Sequence, residues 1–239
     1  MNTFFTPPDN VPRLCLIRHG ETEWNAARRI QGHTDTALNA KGLRQAEALA
    51  ARFAALAQQH LATRFSAIHS SDLLRARDTA APIAAALGCP LNLLPQLRER
   101  HYGVLEGLTY DEIQEQFPDA HTALAQRLPE YLPSGGESLA QAFARVSALL
   151  AGLCLDHPGG ILIIVTHGGI LDLVNRFVRQ RPLNAPRDFP VPNAALNWLR
   201  RETDPLSGDC SWKIEHWAEI GHLPKSARAH RKATYPFSS

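Results

Sequence analysis

Leu14-Cys15-Leu16-Ile17-Arg18-His19-Gly20-Glu21-Thr22 changes character halfway: an apolar run that reads as a buried strand passes directly into charged, glycine-containing chain. Ile161-Leu162-Ile163-Ile164-Val165-Thr166-His167-Gly168-Gly169 does the same. Short continuous apolar runs, without the alternation of a half-solvated strand, suit strands buried on both faces, as in parallel sheets covered by helices. Each run delivers a histidine beside glycine just past its carboxyl end. In open α/β sheets that end is where ligands bind. The two stretches therefore point to an architecture and to the place of its site.

Outward from them, strands and helices alternate. Asn39 is placed to cap a helix reaching about residue 58, with Leu43, Ala46, Ala50, Phe53 and Ala57 on one face. Residues 65–69 read as a second strand, after which Ser71 or Asp72 caps a helix that Gly88 and Pro90 end. A third short strand covers 91–94. From 97 to 133 the pattern loosens into one or two short helices broken by Pro118 and Pro129, and about 105–134 is expected to form a cap over the site. A helix over 138–153 turns Phe143, Val146, Leu149 and Leu150 inward, and another, over 169–179, follows the second run. Residues 195–199 and 211–217 read as closing strands. This alternation predicts one α/β domain over 1–239: a three-layer α/β/α sandwich with a largely parallel central sheet and a small helical cap insertion.

Composition narrows the function classes. The chain has 239 residues, 44% of them hydrophobic, which suits a single core. A formal net charge of +2 is low for a general nucleic-acid binder, so no nucleic-acid partner is expected. The aliphatic run at 161–165 is far short of a membrane span, and the first ten residues lack the apolar core of a signal peptide, so the expectation is a cytoplasmic protein without a membrane partner. A homodimer stays open. Cys15, Cys89, Cys154 and Cys210 form no CxxC motif, and Cys15 and Cys154 read as buried thiols. No acidic residue follows Glu219, whereas Lys225, Arg228, Arg231 and Lys232 do; residues 220–239 are expected to be a basic, exposed tail.

The chemistry follows from the strand ends. Glycine lets backbone approach a ligand closely, and helix starts offer free N–H groups to an anion. Arg18 adds a planar donor fork suited to phosphate or carboxylate. A metal centre is the rival, but neither His19 nor His167 has a ligand partner at metal spacing, and arginine would repel a cation. No metal and no cofactor are expected.

At this point the chain resembles the histidine phosphatase superfamily, which includes phosphoglycerate mutases. The resemblance rests on six blocks in family order between Leu14 and Trp198: Leu16-Ile17-Arg18-His19-Gly20-Glu21-Thr22-Glu23-Trp24-Asn25; Gln31-Gly32-His33-Thr34-Asp35 with Leu38; Ser70-Ser71-Asp72-Leu73 with Arg75-Ala76 and Thr79-Ala80; Leu97-Arg98-Glu99-Arg100-His101-Tyr102-Gly103 with Glu106-Gly107; Gly135-Gly136-Glu137-Ser138; and Thr166-His167-Gly168-Gly169. It implies that His19 is the nucleophile and becomes a phosphohistidine. Arg18, Arg75 and His167 would surround the phosphoryl group, with Asn25 at its edge, and Glu99 would be proton donor and later base. Arg100 and Tyr102 are candidate substrate contacts. Thr22, Gln31, Gly32 and Gly168 are candidates to line the pocket, with capping or loop packing an equal account of Thr22 and Gln31. These roles agree with the chemistry: neutral imidazole is a covalent nucleophile, and phosphoryl transfer needs mainly alignment and compensation of oxygen charge.

The family contains hydrolases and mutases. A mutase must hold a second phosphate, yet residues 107–134 carry Arg127 as their single cation against Asp111, Glu112, Glu115, Asp119 and Glu130. That favours a phosphomonoester hydrolase. The mutase-like spelling Glu99-Arg100-His101-Tyr102-Gly103 keeps a mutase as the alternative, and a non-catalytic phosphate-binding regulator on the same scaffold is the third reading. Sugar phosphates, phosphoglycerates, a ribazole phosphate and phosphoproteins all remain candidate substrates.

Overall fold

The protein is described by a computed structural model that covers residues 12–58, 65–156 and 160–228. In chain order its main elements are β1 (Arg13–Arg18), α1 (Glu23–Ala26), α2 (Ala40–Leu56), β2 (Phe65–Ser70), α3 (Leu74–Leu87), β3 (Leu91–Leu93), α4 (Tyr110–Gln116), α5 (Pro118–Ala125), α6 (Leu139–Asp156), β4 (Ile161–Thr166), α7 (Gly168–Arg179), β5 (Leu196–Thr203) and β6 (Cys210–Glu219). The strands form one six-stranded sheet in the order β3-β2-β4-β1-β5-β6. β3, β2, β4 and β1 run parallel, while β5 is antiparallel to β1 and to β6. The two deciding runs are neighbours: Ile17 lies opposite Val165 and Arg18 opposite Thr166, so both histidines leave the sheet at one level.

Both sheet faces are buried, which explains the unalternating runs. Successive side chains of a strand point to opposite faces. Leu14 and Leu16 of β1, with Leu162 and Ile164 of β4, enter a core shared with α6 and α7. Cys15, Ile17, Ile163 and Val165 enter a second core against α2 and α3. A smaller cluster of Ile30, Leu105, Ile113 and Ala120 holds the cap together.

Several local expectations change. Asn39 does cap α2, its side chain accepting from Gly42 N at 2.8 Å. But the buried face runs through Gln45, Ala46, Leu49, Phe53 and Leu56, and Leu43 is 52% exposed, because the helix is turned by about one residue from the face anticipated. Neither Ser71 nor Asp72 caps α3. Asp35, from a distant loop, accepts from Leu74 N at 2.6 Å, while Asp72 holds Arg98 through two bonds of 2.7 and 2.6 Å. Gly88 ends α3 in the left-handed conformation, φ +62°. The basic tail does not begin at 220: Leu223 and Ala227 are buried, and Gln45 Nε2 donates to Ala227 O at 2.7 Å, so 220–228 pack on α2. Residues 229–239 and the Cys154 side chain lie outside the described residues. No helix among the described residues is long and apolar enough to cross a membrane.

Candidate active site

His19 follows β1 directly, and its backbone N–H donates to Thr166 O at 2.9 Å, which carries the sheet ladder one step past the strand. His19 is 2% exposed. Its Nδ1 lies 2.7 Å from Gly20 O. A carbonyl only accepts, so Nδ1 carries the hydrogen and Nε2 keeps its lone pair. The loop after it is locked: Gly20 N donates to Thr79 Oγ1 at 2.9 Å, and a Cβ on Gly20 would sit 2.7 Å from Gly42 O.

His167 leaves β4 as the residue before α7, its ring centroid 5.1 Å from that of His19. Its Nε2 lies 2.8 Å from Ser71 Oγ, and among the described residues its buried Nδ1 has no hydrogen-bond partner. With the Ser71 hydroxyl donating to Nε2, Nδ1–H is left to meet an anion. Burial first, then the charges of Arg75 and Arg18, hold His19 well below the ordinary imidazole pKa. Burial first, then Arg75, His19 and Arg18, hold His167 well below it too. Both rings are therefore neutral near pH 7.

Arg75 is fully buried on the first turn of α3. Its Nη1 and Nη2 donate to Thr34 O at 2.9 Å and Gly32 O at 2.7 Å, and its Nε is buried without a partner among the described residues. No ion pair within 4.0 Å joins Arg75 to a carboxylate among the described residues, and burial lowers its pKa to about 10, so it stays charged. Arg18 Nη1 donates to Val191 O at 2.7 Å, and a Cβ on Gly168 would come 3.2 Å from Arg18 Nε. Two guanidinium groups and two neutral imidazoles thus share one end of the sheet with the amino end of α7, where the helix dipole favours an anion.

Glu99 reaches this cluster from the chain after β3. Its Oε2 accepts from Gly169 N and its Oε1 from Arg100 N, each at 2.9 Å. A Cβ on Gly169 would overlap its carboxylate. Its carbonyl and those of the two residues before it are also held. His33 Nε2 lies 2.8 Å from Glu99 O, Thr166 Oγ1 donates to Leu97 O at 2.8 Å, and Arg145 Nη1 donates to Arg98 O at 3.0 Å.

The remaining candidates divide. Asn25 and Thr22 form a capping box on α1, and Asn25 Oδ1 also accepts from Asn193 at 3.1 Å. Thr22 is fully buried in that cap. Gln31 holds Thr36 through a 2.7 Å bond, and Gly32, at φ +53°, packs where a Cβ would overlap Glu106. Glu106 accepts from His33 N, Thr34 N and Tyr102 N, so the loop holding His33 and the segment leading into the cap share one carboxylate. Arg100 stacks 5.1 Å over the Tyr102 ring and lines a cavity under the cap with it. Trp24 lies against Gly107 of the cap, 3.3 Å from where a Cβ there would be. The sequence gives Thr79 and Asn193 no role, and Ser71 only that of a helix cap. Asn193 Nδ2 donates to His19 O at 2.9 Å, and no local pattern in its proline-flanked loop announces that contact. Among the described residues no group of three or more histidines, cysteines and carboxylates is placed to hold a metal ion.

Known proteins resemble this chain in sequence and fold over most of its length. Residues 14–218 match the family model "Histidine phosphatase superfamily (branch 1)". The chain is 39% identical to a metal-independent phosphoserine phosphatase of Arabidopsis thaliana, over 89% of its own length and 84% of that protein. It is 34% identical to the probable phosphoglycerate mutase GpmB of Cronobacter sakazakii, covering 90% and 96%. Among solved structures, a mycobacterial glucosyl-3-phosphoglycerate phosphatase superposes with a TM-score of 0.70 at 30% identity, over 87% of this chain and 99% of that one.

Proposed function

The chain belongs to the histidine phosphatase superfamily, branch 1, and from that premise we propose that it hydrolyses phosphomonoesters through a phosphohistidine at His19, with Glu99 as proton donor and then base. The observation that carries the reading is the His19 ring. Gly20 O fixes its tautomer at 2.7 Å, and burial beside Arg75 and Arg18 keeps it neutral, so Nε2 is a ready nucleophile among groups that hold phosphate.

In the first step the Nε2 lone pair forms an N–P bond while the ester P–O bond breaks. Glu99 gives its proton to the departing oxygen, which leaves as an alcohol. In the second step water attacks phosphorus, the N–P electrons return to Nε2, Glu99 takes the water proton and inorganic phosphate departs. Arg18, Arg75 and His167 Nδ1–H balance the charge on the non-bridging oxygens in both steps. Asn25 serves as a pocket-edge contact, and the 105–134 segment as the cap of a single cytoplasmic domain.

Isomerisation is the second reading, favoured by the Glu99-Arg100-His101-Tyr102-Gly103 block and by the printed name of the C. sakazakii relative. Against it, Arg127, the one cation of residues 107–134, is bound to Asp172 and Leu183 O and is not held out for a second phosphate. Rapid-quench intact-mass measurement, in excess chelator, tests both readings. An acid-labile phosphoryl adduct on His19, lost in His19→Ala together with turnover, is expected. An adduct undiminished in His19→Ala would overturn the assignment. Isomer formation outpacing phosphate release from a phosphoglycerate would favour the mutase.

A further inference from the structure

The loop between α7 and β5 closes over the end of β1. Val191 O accepts from Arg18 Nη1 at 2.7 Å and Ala194 N donates to Arg18 O at 2.9 Å, so this loop grips Arg18 by both side chain and backbone. Asn193 stands between the two contacts and is 8% exposed. Its Nδ2 donates to His19 O at 2.9 Å and to Asn25 Oδ1 at 3.1 Å. Asn25 Oδ1 also accepts from Thr22 N at 3.2 Å. Two backbone groups settle the sense of both amides. A carbonyl only accepts, so the Asn193 atom that faces His19 O is the amide nitrogen. A backbone N–H only donates, so the Asn25 atom that faces Thr22 N is the oxygen. The two side chains then meet donor to acceptor, and the NH2 of Asn25, its end able to bond an anion, is turned away from this network. The loop is strained at the same point: Ala194 is fully buried at φ +56°, a left-handed conformation that a non-glycine residue keeps only when its contacts over-determine it.

Building on the hydrolase reading, in which Asn25 is a contact at the edge of the phosphoryl pocket, we propose that Asn193 is a positioning residue of the reaction. It holds the Asn25 amide with its NH2 toward the phosphoryl oxygens and steadies the backbone of His19. It touches no reacting atom and acts through Asn25 and the His19 carbonyl. Without the Asn193 donor, Asn25 Oδ1 keeps only the bond from Thr22 N. The amide is then freer to turn its oxygen toward the phosphoryl group, where lone pairs would face lone pairs.

The test is steady-state kinetics of the full chain on an aryl phosphate, with inorganic phosphate as competitive inhibitor. Leucine fills much the same space as asparagine and donates nothing. Asn193→Leu should lose about tenfold in kcat/KM, the worth of the hydrogen bonds removed, and should weaken inhibition by phosphate by a similar factor. Asn193→Asp, assayed at pH 8 with its carboxylate ionised, should lose about a hundredfold, because it sets an acceptor against His19 O and draws the Asn25 NH2 to itself. A role in packing alone would rank aspartate, the closer match in shape, nearest to the unaltered protein and would leave phosphate inhibition as it is. In an Asn25→Ala background, Asn193→Leu should cost no more than about threefold, since the residue it acts through is already gone. Folded Asn193→Leu with unchanged kinetics and phosphate inhibition, a full tenfold further loss in the Asn25→Ala background, or Asn25→Ala as active as the unaltered protein overturns the proposal. Where the leucine variant does not fold, Asn193→Ala takes its place in both comparisons with the same expected losses. Failure of the unaltered protein on the aryl phosphate would instead remove the hydrolase reading on which the proposal rests.

Discussion

At the scale of single residues, the candidate site gathers charged and polar side chains in buried positions. Arg75 is the clearest case: fully buried, anchored through both terminal nitrogens to the Gly32 and Thr34 carbonyls, and, among the described residues, with no carboxylate in ion-pair contact. Arg75→Ala should cost about 2–4 kcal/mol of transition-state stabilisation, by analogy with removal of an oxyanion donor. Arg75→Lys should lose less, since it keeps the charge and loses the fork. Steady-state kinetics on an aryl phosphate check both, and near-normal turnover by the alanine variant would put Arg75 outside the pocket. His19 makes a second test. Attack needs the neutral ring, and burial with Arg75 and Arg18 depresses its protonation below 6.5. The acidic limb of kcat/KM, corrected for substrate ionisation, should therefore fall below pH 6.5. A limb at or above that value would show a ring that is not held neutral.

At the scale of elements, the two ends of the proposed catalytic machinery are fixed by different devices. β1 and β4 carry His19 and His167 as neighbours in register, so their relation is set by the sheet itself. Glu99 stands on irregular chain, and its place comes from the amino end of α7, where Gly169 N–H holds the carboxylate. Gly169 tolerates no Cβ there without displacing that carboxylate. Alanine is the better helix former by roughly 0.8–1 kcal/mol, so Gly169→Ala should fold at least as stably. Its turnover of alkyl phosphates should nevertheless drop by about a hundredfold, the lower range of general acid catalysis, with a smaller loss on activated aryl phosphates that leave without a proton. Thermal melting and a leaving-group series measure the two effects, and equal loss on both substrate kinds would argue against Glu99 as the acid.

At the scale of the whole molecule, activity is bound to a pH-dependent fold. Burial lowers the pKa of His19, His167 and His222, the last to about 4. Unfolded, each would take a proton near pH 6.5; folded, each resists it. Stability is therefore lost as pH falls through 6.5 toward each folded value, by about 1.4 kcal/mol per pH unit for each ring. The lowered carboxylates Asp72 and Glu106 add stability that is fully present above the ordinary carboxylate range and lost only below it, so the imidazoles dominate the change at higher pH. Denaturant titrations at pH 7.5 and 5.0 should show this fall, and His222→Gln should flatten it; equal stability at both values would contradict the burial argument. The sequence by itself determined the layered α/β class and the positions of His19, His167, Arg18 and Glu99 along the chain. The class is legible because strands buried on both faces are continuously apolar, and Arg18, His19 and His167 because they stand at strand ends beside glycine, whereas Glu99, on irregular chain, is legible only through the resemblance of its block to the superfamily. Tertiary structure decided what no local pattern encodes. It chose Asp35 over Ser71 as the partner of the α3 amino end, packed residues 220–228 onto α2, brought Asn193 to His19 and spent Arg127 on Asp172. Each of those choices is a contact between residues far apart in sequence, settled by which donors and charges the folded chain leaves in need of partners once its sheet has closed.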